Sequence, residues 1–358
     1  MQFEFKLTPA IVFGPGTRNR LPELPAVAGK RCMLLRFPGC DLAELEKRCG
    51  SLLIPDWFEE NPSESLARRL GALAAERQVE TIIAIGGGST IDSAKAAAWF
   101  AANPEWKMTG ENPAPRSCSV SVVAVPTTAG TGSEVTPYSI LTGEDHFKRI
   151  LTHPSLVPGQ VVCDPELTLS LPSHVTAHTG IDALSHLIEA YLAESCTGLL
   201  EEIALAGLKR GIAALPEVLR APGAIKPREE MMLAALSGGI VLAHCGTVMV
   251  HALGYCLTRQ FSHRHGEANA ILLPAFLNCL AGRGCARAKQ IVELFGGDPA
   301  GFVRRCGIEP VFPAVDDRTL AEWVEAGYRS YGRTHCVAEL RREEIEFILY
   351  HSMKGQSA

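Results

Sequence analysis

The sequence predicts an α/β fold with two parts, a parallel-sheet domain followed by an all-helical domain. Over residues 1–170, short β-branched runs alternate with helical patterns, which is typical of βαβ units. Over residues 171–358 the strand-like runs largely stop, and apolar residues recur at a spacing of three to four. The chain has 358 residues, of which 47% are hydrophobic, so it can form two buried cores. The first domain is therefore expected to be Rossmann-like.

The strands of the first domain are predicted from three apolar runs. These runs are RCMLLRF at 31–37, ETIIAI at 80–85 and VSVVAVP at 120–126. Runs that are apolar nearly throughout indicate strands buried on both faces of a parallel sheet. A helical pattern at 90–103 begins directly after three glycines, so the order there is strand, glycine turn and helix.

The second domain is predicted to consist of helices. Helical periodicity is clearest at 174–194, 199–218, 228–253 and 317–330. The stretch 213–227 contains glycine and proline and is predicted to connect two helices. We find no internal repeat and no low-complexity linker in the sequence.

The charge balance disfavours several classes of partner. The formal net charge is -5 and the isoelectric point is near 6.1. A partner such as nucleic acid or an anionic membrane would call for a basic surface, which this composition does not indicate. No apolar stretch reaches the roughly 18 uncharged residues that span a bilayer. We therefore expect a small-molecule partner, with no nucleic acid and no membrane.

The twelve cysteines are scattered along the chain and form no CxxC pair. Their spacing matches no zinc module, and the N-terminal segment MQFEFKLTPAIVFGPG does not resemble a secretory leader. Cysteine often serves as a small buried apolar residue. Reduced thiols and a cytoplasmic location are therefore expected.

A glycine turn follows the second strand run. Gly86, Gly87, Gly88 and Ser89 lie between TIIAI and the helical pattern. Glycine lets the backbone approach a pyrophosphate, and the unpaired amides at a helix start favour an anion. The spacing differs from GxGxxG, so the turn is either a nucleotide site or a tight structural turn.

A second polar loop, VPTTAGTGSEVTPYS at 125–139, follows the third strand run. Open parallel sheets bind ligands at the carboxyl ends of their strands, so both loops are expected to face one crevice. The alternative for the second loop is a polar turn rich in helix-capping residues.

Four residues of the second domain together suit a divalent metal. Asp182 and His186 stand at i and i+4, on one face of a predicted helix. His251 lies toward the end of the helix predicted at 228–253, and His265 opens the next helical run. One carboxylate and three imidazoles can bind Fe²⁺ or Zn²⁺. Each residue alone also fits a surface pair or a core histidine, but the flanking apolar segments favour convergence in an interior cleft.

With these motifs the chain resembles the iron-containing alcohol dehydrogenase family, which is related in fold to glycerol dehydrogenase and dehydroquinate synthase. The resemblance covers nearly the whole chain and rests on IGGGSTIDSAK, VPTTAGTGSEVT, DPELTLSLP, GIDALSHLIEAY and HGEANAILLP. It implies a dehydroquinate synthase-like fold, with a dinucleotide-binding domain at 1–170 and a helical, metal-binding catalytic domain at 171–358. It also implies a homo-oligomer, with a dimer as the simplest case.

The resemblance assigns roles to individual residues. The metal ligands that it implies are Asp182, His186, His251 and His265. The pyrophosphate site that it implies is Gly87, Gly88 and Ser89. Further contacts with NAD or NADP are implied for Asn61, Thr127, Thr128, Ser133 and Lys148. A solvated surface lysine remains the alternative for Lys148.

One departure from the family pattern concerns proton transfer. Tyr255 follows the metal histidine His251 by four residues, and many members have a second histidine at this place. Tyr255 and His265 are therefore the expected catalytic residues, with Tyr255 relaying protons. The sequence HALGYCLT more closely resembles the phosphonoacetaldehyde reductase branch of the family. Arg259, His263 and Arg264 then either bind an anionic substrate or form a solvated basic loop.

A second departure concerns the coenzyme. Many NAD-using members have an Asp after the first strand run, where it hydrogen-bonds the adenosine ribose. Here the run ends in Arg36, Phe37 and Pro38. An arginine at this place favours a 2′-phosphate, so NADP stays open beside NAD.

Together these features predict a metal-dependent, NAD(P)-linked alcohol dehydrogenase or aldehyde reductase that acts on a small primary alcohol or aldehyde. The coenzyme is expected to lie across the cleft between the domains. Reduction of an anionic aldehyde such as phosphonoacetaldehyde is one alternative. A dehydroquinate synthase-like lyase and a nucleotide sensor without catalysis are the others. The lyase would call for more lysines and arginines around the metal, and the intact ligand set argues against the sensor.

Overall fold

A computed structural model of the protein describes residues 4–37, 43–49, 52–145, 147–261 and 263–354. The chain divides into two compact units. The first unit is Lys6–Thr168. The second begins at Leu169 and also takes in Phe5, whose ring stacks on that of His244 with 4.9 Å between centroids.

The first unit is built on a six-stranded parallel sheet. Its strands are β1 Ala10–Phe13, β2 Cys32–Arg36, β3 Leu52–Leu53, β4 Thr81–Gly86, β5 Ser121–Pro126 and β8 Gln160–Cys163. The strand order is β1-β8-β5-β4-β2-β3, and every neighbouring pair is parallel. An antiparallel hairpin is formed by β6 Tyr138–Thr142 and β7 Lys148–Thr152. The helices described in this unit are α1 Ala43–Cys49, α2 Glu64–Glu76 and α3 Gly88–Ala102.

Strand β4 is buried along its whole length because both faces of the sheet are covered. Ile82 and Ala84 belong to the apolar cluster that also contains residues of α2 and α3. Ile83 and Ile85 point to the opposite face and pack with Leu21 and its neighbours. This arrangement explains the unbroken apolar run in the sequence, since a strand covered on both faces needs no polar alternation.

The second unit is helical among the residues described, apart from a single bridge between Ala193 and Cys336. Its longer helices are α4 Ser173–Tyr191, α5 Leu199–Arg220, α6 Ile225–Cys245, α7 Val250–Phe261, α8 His265–Gly282, α11 Asp317–Arg329 and α13 Arg342–Lys354. Shorter ones are α9 Ala286–Leu294, α10 Pro299–Arg305 and α12 Tyr331–His335. From Gly180 to Tyr191, helix α4 is buried on all sides, as expected of the central helix of a bundle.

The predicted fold class is confirmed, and the strand runs at 31–37, 80–85 and 120–126 correspond to β2, β4 and β5. The helix expected at 90–103 is α3, which starts two residues earlier. The β6–β7 hairpin was not predicted from the sequence. Its strands mix buried, half-buried and exposed positions and include polar residues, so they lack the apolar runs of the sheet.

One helix prediction in the second unit is wrong, and one predicted connection is longer than the connection in the structure. The single helix expected at 228–253 is interrupted, because α6 ends at Cys245 and α7 starts at Val250 with a bend of 108°. Gly246 has a φ of 70° and ends α6, as glycines with positive φ commonly do. The connection expected at 213–227 is shorter than predicted, since α5 continues through Pro216 to Arg220.

The described residues contain no single helix that is long and apolar enough to cross a membrane. The bent pair α6 and α7 meets that criterion only when its two helices are taken together, by length and composition. The cysteines that the structure describes are all free thiols.

Candidate metal centre and nucleotide-binding loops

Three of the four predicted metal ligands form a compact buried cluster. Asp182 and His186 lie one turn apart on α4, and His251 lies in the first turn of α7. One ligand atom from each of the three lies within 4.8 Å of the others. The imidazole rings of His186 and His251 are stacked with centroids 4.7 Å apart. These residues are at most 6% exposed, so their polar atoms need partners inside the protein.

His265 completes the predicted set from the first position of α8. Its Nε2 lies 3.9 Å from Oδ1 of Asp182, and Nε2 of His251 lies 3.6 Å from the same oxygen. Gly266 allows this approach, because a Cβ there would lie 2.0 Å from the carbonyl oxygen of His178 on α4. The start of α8 can therefore reach α4 only with glycine at position 266.

Glu189 is a further member of the site that the sequence analysis did not single out. It is fully buried on α4 and follows Asp182 by seven residues, so it shares the helix face of the ligands. Its carboxylate accepts hydrogen bonds from the backbone N–H groups of Val248, Val250 and His251, at 2.8, 3.0 and 3.2 Å. It also contacts Nδ1 of His251. The i, i+4, i+7 spacing of Asp182, His186 and Glu189 was the available signal.

Asn269 is another residue of the site that was not predicted from the sequence. It is fully buried and lies one turn after His265 on α8. Its Nδ2 donates to Oδ1 of Asp182 at 3.0 Å, and it lies 3.2 Å from Nε2 of His251 and 3.4 Å from Nε2 of His265. One amide nitrogen can contact all three atoms only because these three side-chain atoms converge on one place. The donor set, one carboxylate and imidazole nitrogens facing a common point, therefore fits a divalent cation.

The electrostatics of the cluster favour different charge states at its carboxylate and at its imidazoles. Burial alone would raise the pKa of the Asp182 carboxyl, but the neighbouring imidazoles outweigh it and hold this pKa well below the usual range. Burial opposes protonation of His251, yet Glu189 and Asp182 raise its pKa to about 10. For His265 burial dominates and lowers the pKa to about 4, so its imidazole is neutral at pH 7. A charged Asp182 and a neutral His265 are forms that bind metals, whereas His251 would have to release a proton on binding one.

Tyr255 lies beside the cluster. It is one turn after His251 on α7, and its ring stacks on that of His265 with centroids 5.2 Å apart and an interplanar angle of 26°. The structure thus places both expected catalytic residues, Tyr255 and His265, next to each other. The proton-relay role of Tyr255 stays a prediction.

Basic residues collect near Asp182. Burial lowers the pKa of His178, and the nearby Arg264, His174 and His263 lower it further, while Glu267 opposes them. His263 is itself paired with Glu267 at 3.2 Å.

The remaining basic residue proposed from the sequence is Arg259, which lies in the last turn of α7. Whether these groups serve an anionic substrate stays a prediction.

In the first unit, the glycine turn and the polar loop are adjacent. Gly86 ends β4 and pairs with Pro126 at the end of β5. A Cβ on Gly87 would lie 3.3 Å from Thr128, and one on Gly88 would lie 2.8 Å from Thr131. Helix α3 starts at Gly88, so its free amides lie at the same edge of the sheet.

The topology supports a ligand at this edge. Chain order reverses between β2 and β4, which are neighbours in the sheet, and ligands of open α/β sheets bind at such a switch point. Thr127 is buried, and its N–H donates to the carbonyl of Gly86 at 3.0 Å. Arg36 ends β2 and lies 3.5 Å from Glu46. Pro38, named with it in the sequence analysis, lies outside the described residues.

Three predicted coenzyme residues lie together beside the turn. The N–H of Asn61 donates to Oγ of Ser89 at 3.2 Å. Lys148, on β7, donates from Nζ to Oδ1 of Asn61 at 2.9 Å and to Oγ1 of Thr142 at 3.0 Å. Asn61 has a φ of 60°, which asparagine tolerates better than most residues. The structure therefore brings Asn61, Ser89 and Lys148 to one place, and their contact with a dinucleotide stays a prediction.

Ser133 occupies a different environment. Its hydroxyl donates to the carboxylate of Asp92 and accepts from Nζ of Lys95 at 2.9 Å. Lys95 is fully buried on α3 and also donates to the carbonyls of Ser133 and Thr136, at 2.8 and 3.1 Å. The Ser133 hydroxyl is thus used in tying the polar loop to α3. The sequence signal for this network was a pair of charges, Asp92 and Lys95, on an otherwise uncharged helix.

Comparisons with known proteins give a consistent result. The sequence matches the family described as iron-containing alcohol dehydrogenase over residues 8–165, and its C-terminal family over 176–326. A 4-hydroxybutyrate dehydrogenase of Cupriavidus necator is 34% identical over 78% of this chain and 74% of its own. An NAD-dependent methanol dehydrogenase of Bacillus methanolicus is 30% identical over 96% of this chain and 91% of its own. A crystal structure of an iron-containing alcohol dehydrogenase from Thermotoga maritima is 29% identical, with a TM-score of 0.86, and covers 98% of this chain and 99% of that one.

Proposed function

Because this chain belongs to the iron-containing alcohol dehydrogenase family, we propose that it transfers a hydride reversibly between a nicotinamide dinucleotide and a small primary alcohol or aldehyde. The observation that carries the proposal is the convergence of a buried carboxylate with three imidazoles. These groups belong to Asp182, His186, His251 and His265. Bound there, Fe²⁺ or Zn²⁺ supplies Lewis-acid stabilisation of an alkoxide in oxidation or of a polarised carbonyl in reduction.

The first unit binds the dinucleotide in this proposal. The backbone amides of Gly87, Gly88 and Ser89, at the start of α3, bind the pyrophosphate, because a helix start combines free N–H groups with a positive dipole end. Asn61 and Lys148 lie beside Ser89 and bind the same coenzyme. The neighbouring loop contributes Thr127 and Thr128, and Ser133 contributes through its backbone, since its hydroxyl is already used.

NAD is the first choice of coenzyme, because the methanol dehydrogenase relative is NAD-dependent by name. Arg36 at the end of β2 keeps NADP as the second choice, since an arginine near that position accommodates a 2′-phosphate. Tyr255 holds the mobile proton at its phenolic oxygen. It donates this proton to the alkoxide formed in aldehyde reduction and accepts it in alcohol oxidation.

An anionic aldehyde is the second candidate substrate. Arg264 and His263 directly precede His265. Both lower the pKa of His178, which lies one turn before Asp182 on α4. A guanidinium group so close to the metal cluster would attract a carboxylate or phosphonate on the substrate. The 34% identical relative from Cupriavidus necator is named for a substrate that carries a carboxylate.

The proposal is tested by an anaerobic assay of protein reconstituted with Fe²⁺ or Zn²⁺. NADH and NADPH are each offered with neutral aldehydes of two to four carbons, succinic semialdehyde and phosphonoacetaldehyde. We expect stoichiometric oxidation of the coenzyme with at least one aldehyde, and loss of that activity in Asp182→Asn. Preference for the charged aldehydes that disappears in Arg264→Ala would favour the anionic candidate.

The same assay separates the two rival functions. A dehydroquinate synthase-like lyase would recycle its coenzyme, so no net NADH would be consumed. A nucleotide sensor would bind the dinucleotide with no turnover and would retain less than about half an equivalent of metal after reconstitution, where the proposed enzyme is expected to approach one per chain.

A further inference from the structure

The carboxylate of Glu189 is surrounded by hydrogen-bond donors. Oε2 accepts from the N–H groups of Val248 and Val250, at 2.8 and 3.0 Å. Oε1 accepts from the N–H of His251 at 3.2 Å and contacts Nδ1 of the same residue. Each oxygen therefore faces two donors. An ionised carboxylate, which only accepts, satisfies all of them, whereas a carboxamide would place an NH₂ group against donors in either orientation.

Two of these donors belong to the start of α7. A helix leaves its first N–H groups without partners in the helix, and α7 starts at Val250, shortly after the break at Gly246. Glu189 supplies the missing acceptor from α4, and its negative charge lies at the positive end of the α7 dipole. The carboxylate thus fixes where α7 begins relative to α4.

The contact with Nδ1 also determines which nitrogen of His251 is available to the metal. When the ring is neutral, a carboxylate beside Nδ1 keeps the remaining proton on that nitrogen and leaves the lone pair on Nε2. Nε2 is the atom that lies 3.6 Å from Oδ1 of Asp182 and 3.2 Å from Nδ2 of Asn269. The ring therefore presents its acceptor nitrogen to the place where the other ligand atoms meet.

We propose that Glu189 is a positioning residue of the metal centre, which holds the His251 ring with Nε2 toward the cation and anchors the start of α7 in the same set of hydrogen bonds. The inference rests on the metal centre proposed above. Carboxylate partners of metal-binding histidines commonly contribute about 10- to 100-fold to metal affinity.

The test compares Glu189→Gln and Glu189→Asp with the wild-type protein after removal of metal. Each is titrated with Co²⁺, whose absorption spectrum reports both affinity and coordination. We expect Glu189→Gln to raise the Kd for Co²⁺ by about 10- to 100-fold, because it puts a donor against Nδ1 or against the α7 amides. Glu189→Asp keeps two acceptor oxygens and is expected to recover most of the loss. Glu194→Gln, an exposed position just after α4, is the matched control and should leave the Kd unchanged.

A purely structural role gives a different result. In that case Glu189→Gln would lower the midpoint of thermal unfolding of the metal-free protein, while the folded protein would bind Co²⁺ with a Kd within about threefold of wild type. That outcome overturns the inference. If the wild-type protein itself shows no Co²⁺ spectrum with imidazole ligands, this result contradicts the proposed metal centre and not the role of Glu189 in particular.

A measurement on the wild-type protein keeps the inference testable if Glu189→Gln does not fold. Nitrogen-15 NMR of the Zn²⁺-loaded protein, assigned with His251→Gln, reports which ring nitrogen of His251 carries the proton, because a metal-bound imidazole is neutral and keeps only one. We expect a proton on Nδ1. A ring protonated only at Nε2 would contradict the inference whatever the variants do.

Discussion

Asn269 donates a hydrogen bond from Nδ2 to Oδ1 of Asp182 at 3.0 Å, and both side chains are buried. The amide compensates a carboxylate that has lost its contact with water, and it does so at the place where the imidazole nitrogens also converge. Loss of a partner to a buried charged group costs about 1–3 kcal/mol or more. A bound cation would compensate the same carboxylate.

This relationship predicts that Asn269→Leu destabilises the metal-free protein more than the metal-loaded protein. We expect the metal-free form to lose about 1–3 kcal/mol of its free energy of unfolding. The difference in melting temperature between the two forms should therefore widen relative to wild type. Differential scanning calorimetry with and without Zn²⁺ measures both. Equal losses in the two forms would show that Asn269 has no special relation to the metal centre.

Gly266→Ala is expected to weaken metal binding through the position of His265. The new Cβ would meet the backbone oxygen of His178 at 2.0 Å, so the start of α8 has to move away from α4. Such overpacking typically costs about 1–3 kcal/mol of stability. Chemical denaturation and Co²⁺ titration test the two effects.

Gly282→Ala is the control for this variant on the same helix, because a Cβ there would have nothing within 4 Å. We expect it to be neutral or slightly stabilising, since alanine is the better helix former. If both glycine variants bind Co²⁺ like wild type, the close approach at Gly266 is not needed for the site.

Tyr255→Phe separates proton transfer from metal binding. The phenylalanine ring can keep the stacking on His265 that the tyrosine makes at 5.2 Å, so metal content should stay at the wild-type level. If the hydroxyl is the proton donor, kcat for aldehyde reduction should fall by about 100-fold or more. Steady-state rates across pH, together with metal analysis, test this prediction. Full turnover at every pH would exclude Tyr255 as the proton relay.

The buried carboxyl of Glu134 is expected to make the free energy of unfolding depend on pH. Burial raises the pKa of its carboxyl to about 7, although the charge of Lys95 opposes the shift. Between the ordinary glutamate pKa of 4.5 and this value, the folded protein keeps a proton that the unfolded chain releases. The free energy of unfolding should therefore fall as pH rises from 4.5 to 7, by at most about 3 kcal/mol.

Urea denaturation at pH 5 and pH 7 of wild type and Glu134→Gln measures this effect. The variant cannot ionise at position 134, so the fall between the two pH values should be smaller than in wild type. Burial also lowers the pKa of Lys95, to about 8, which lies above this range, so titration of Lys95 contributes little. Parallel pH profiles of the two proteins would contradict the assignment to Glu134.

Much of the fold could be predicted from the sequence because its signals are local. The apolar run of β4 and the glycines before α3 give the strand–turn–helix order directly. In the second unit, the spacing of Asp182 and His186 correctly placed both on one face of α4. The break between α6 and α7 was missed because apolar residues continue on both sides of it, and only Gly246 marks the turn.

The partners of the ligands could not be predicted in the same way. Glu189 and Asn269 derive their roles from groups on other helices, and the pattern of their own helices does not reveal which groups those are. Ser133, in contrast, was singled out from the sequence, and the fold gives its hydroxyl other partners. Its hydroxyl was available for a coenzyme contact in the sequence, but the fold directs it to Lys95 and Asp92.

The position of the ligands on their helices has a consequence for how the second unit would behave without metal. His251 and His265 lie in the first turns of α7 and α8, whereas Asp182 and His186 lie well inside α4. A cation joined to all four would act as a cross-link between two helix beginnings and the interior of the bundle. We therefore expect chelation to expose the 246–249 connection, so that limited proteolysis cuts there first and added Zn²⁺ restores resistance.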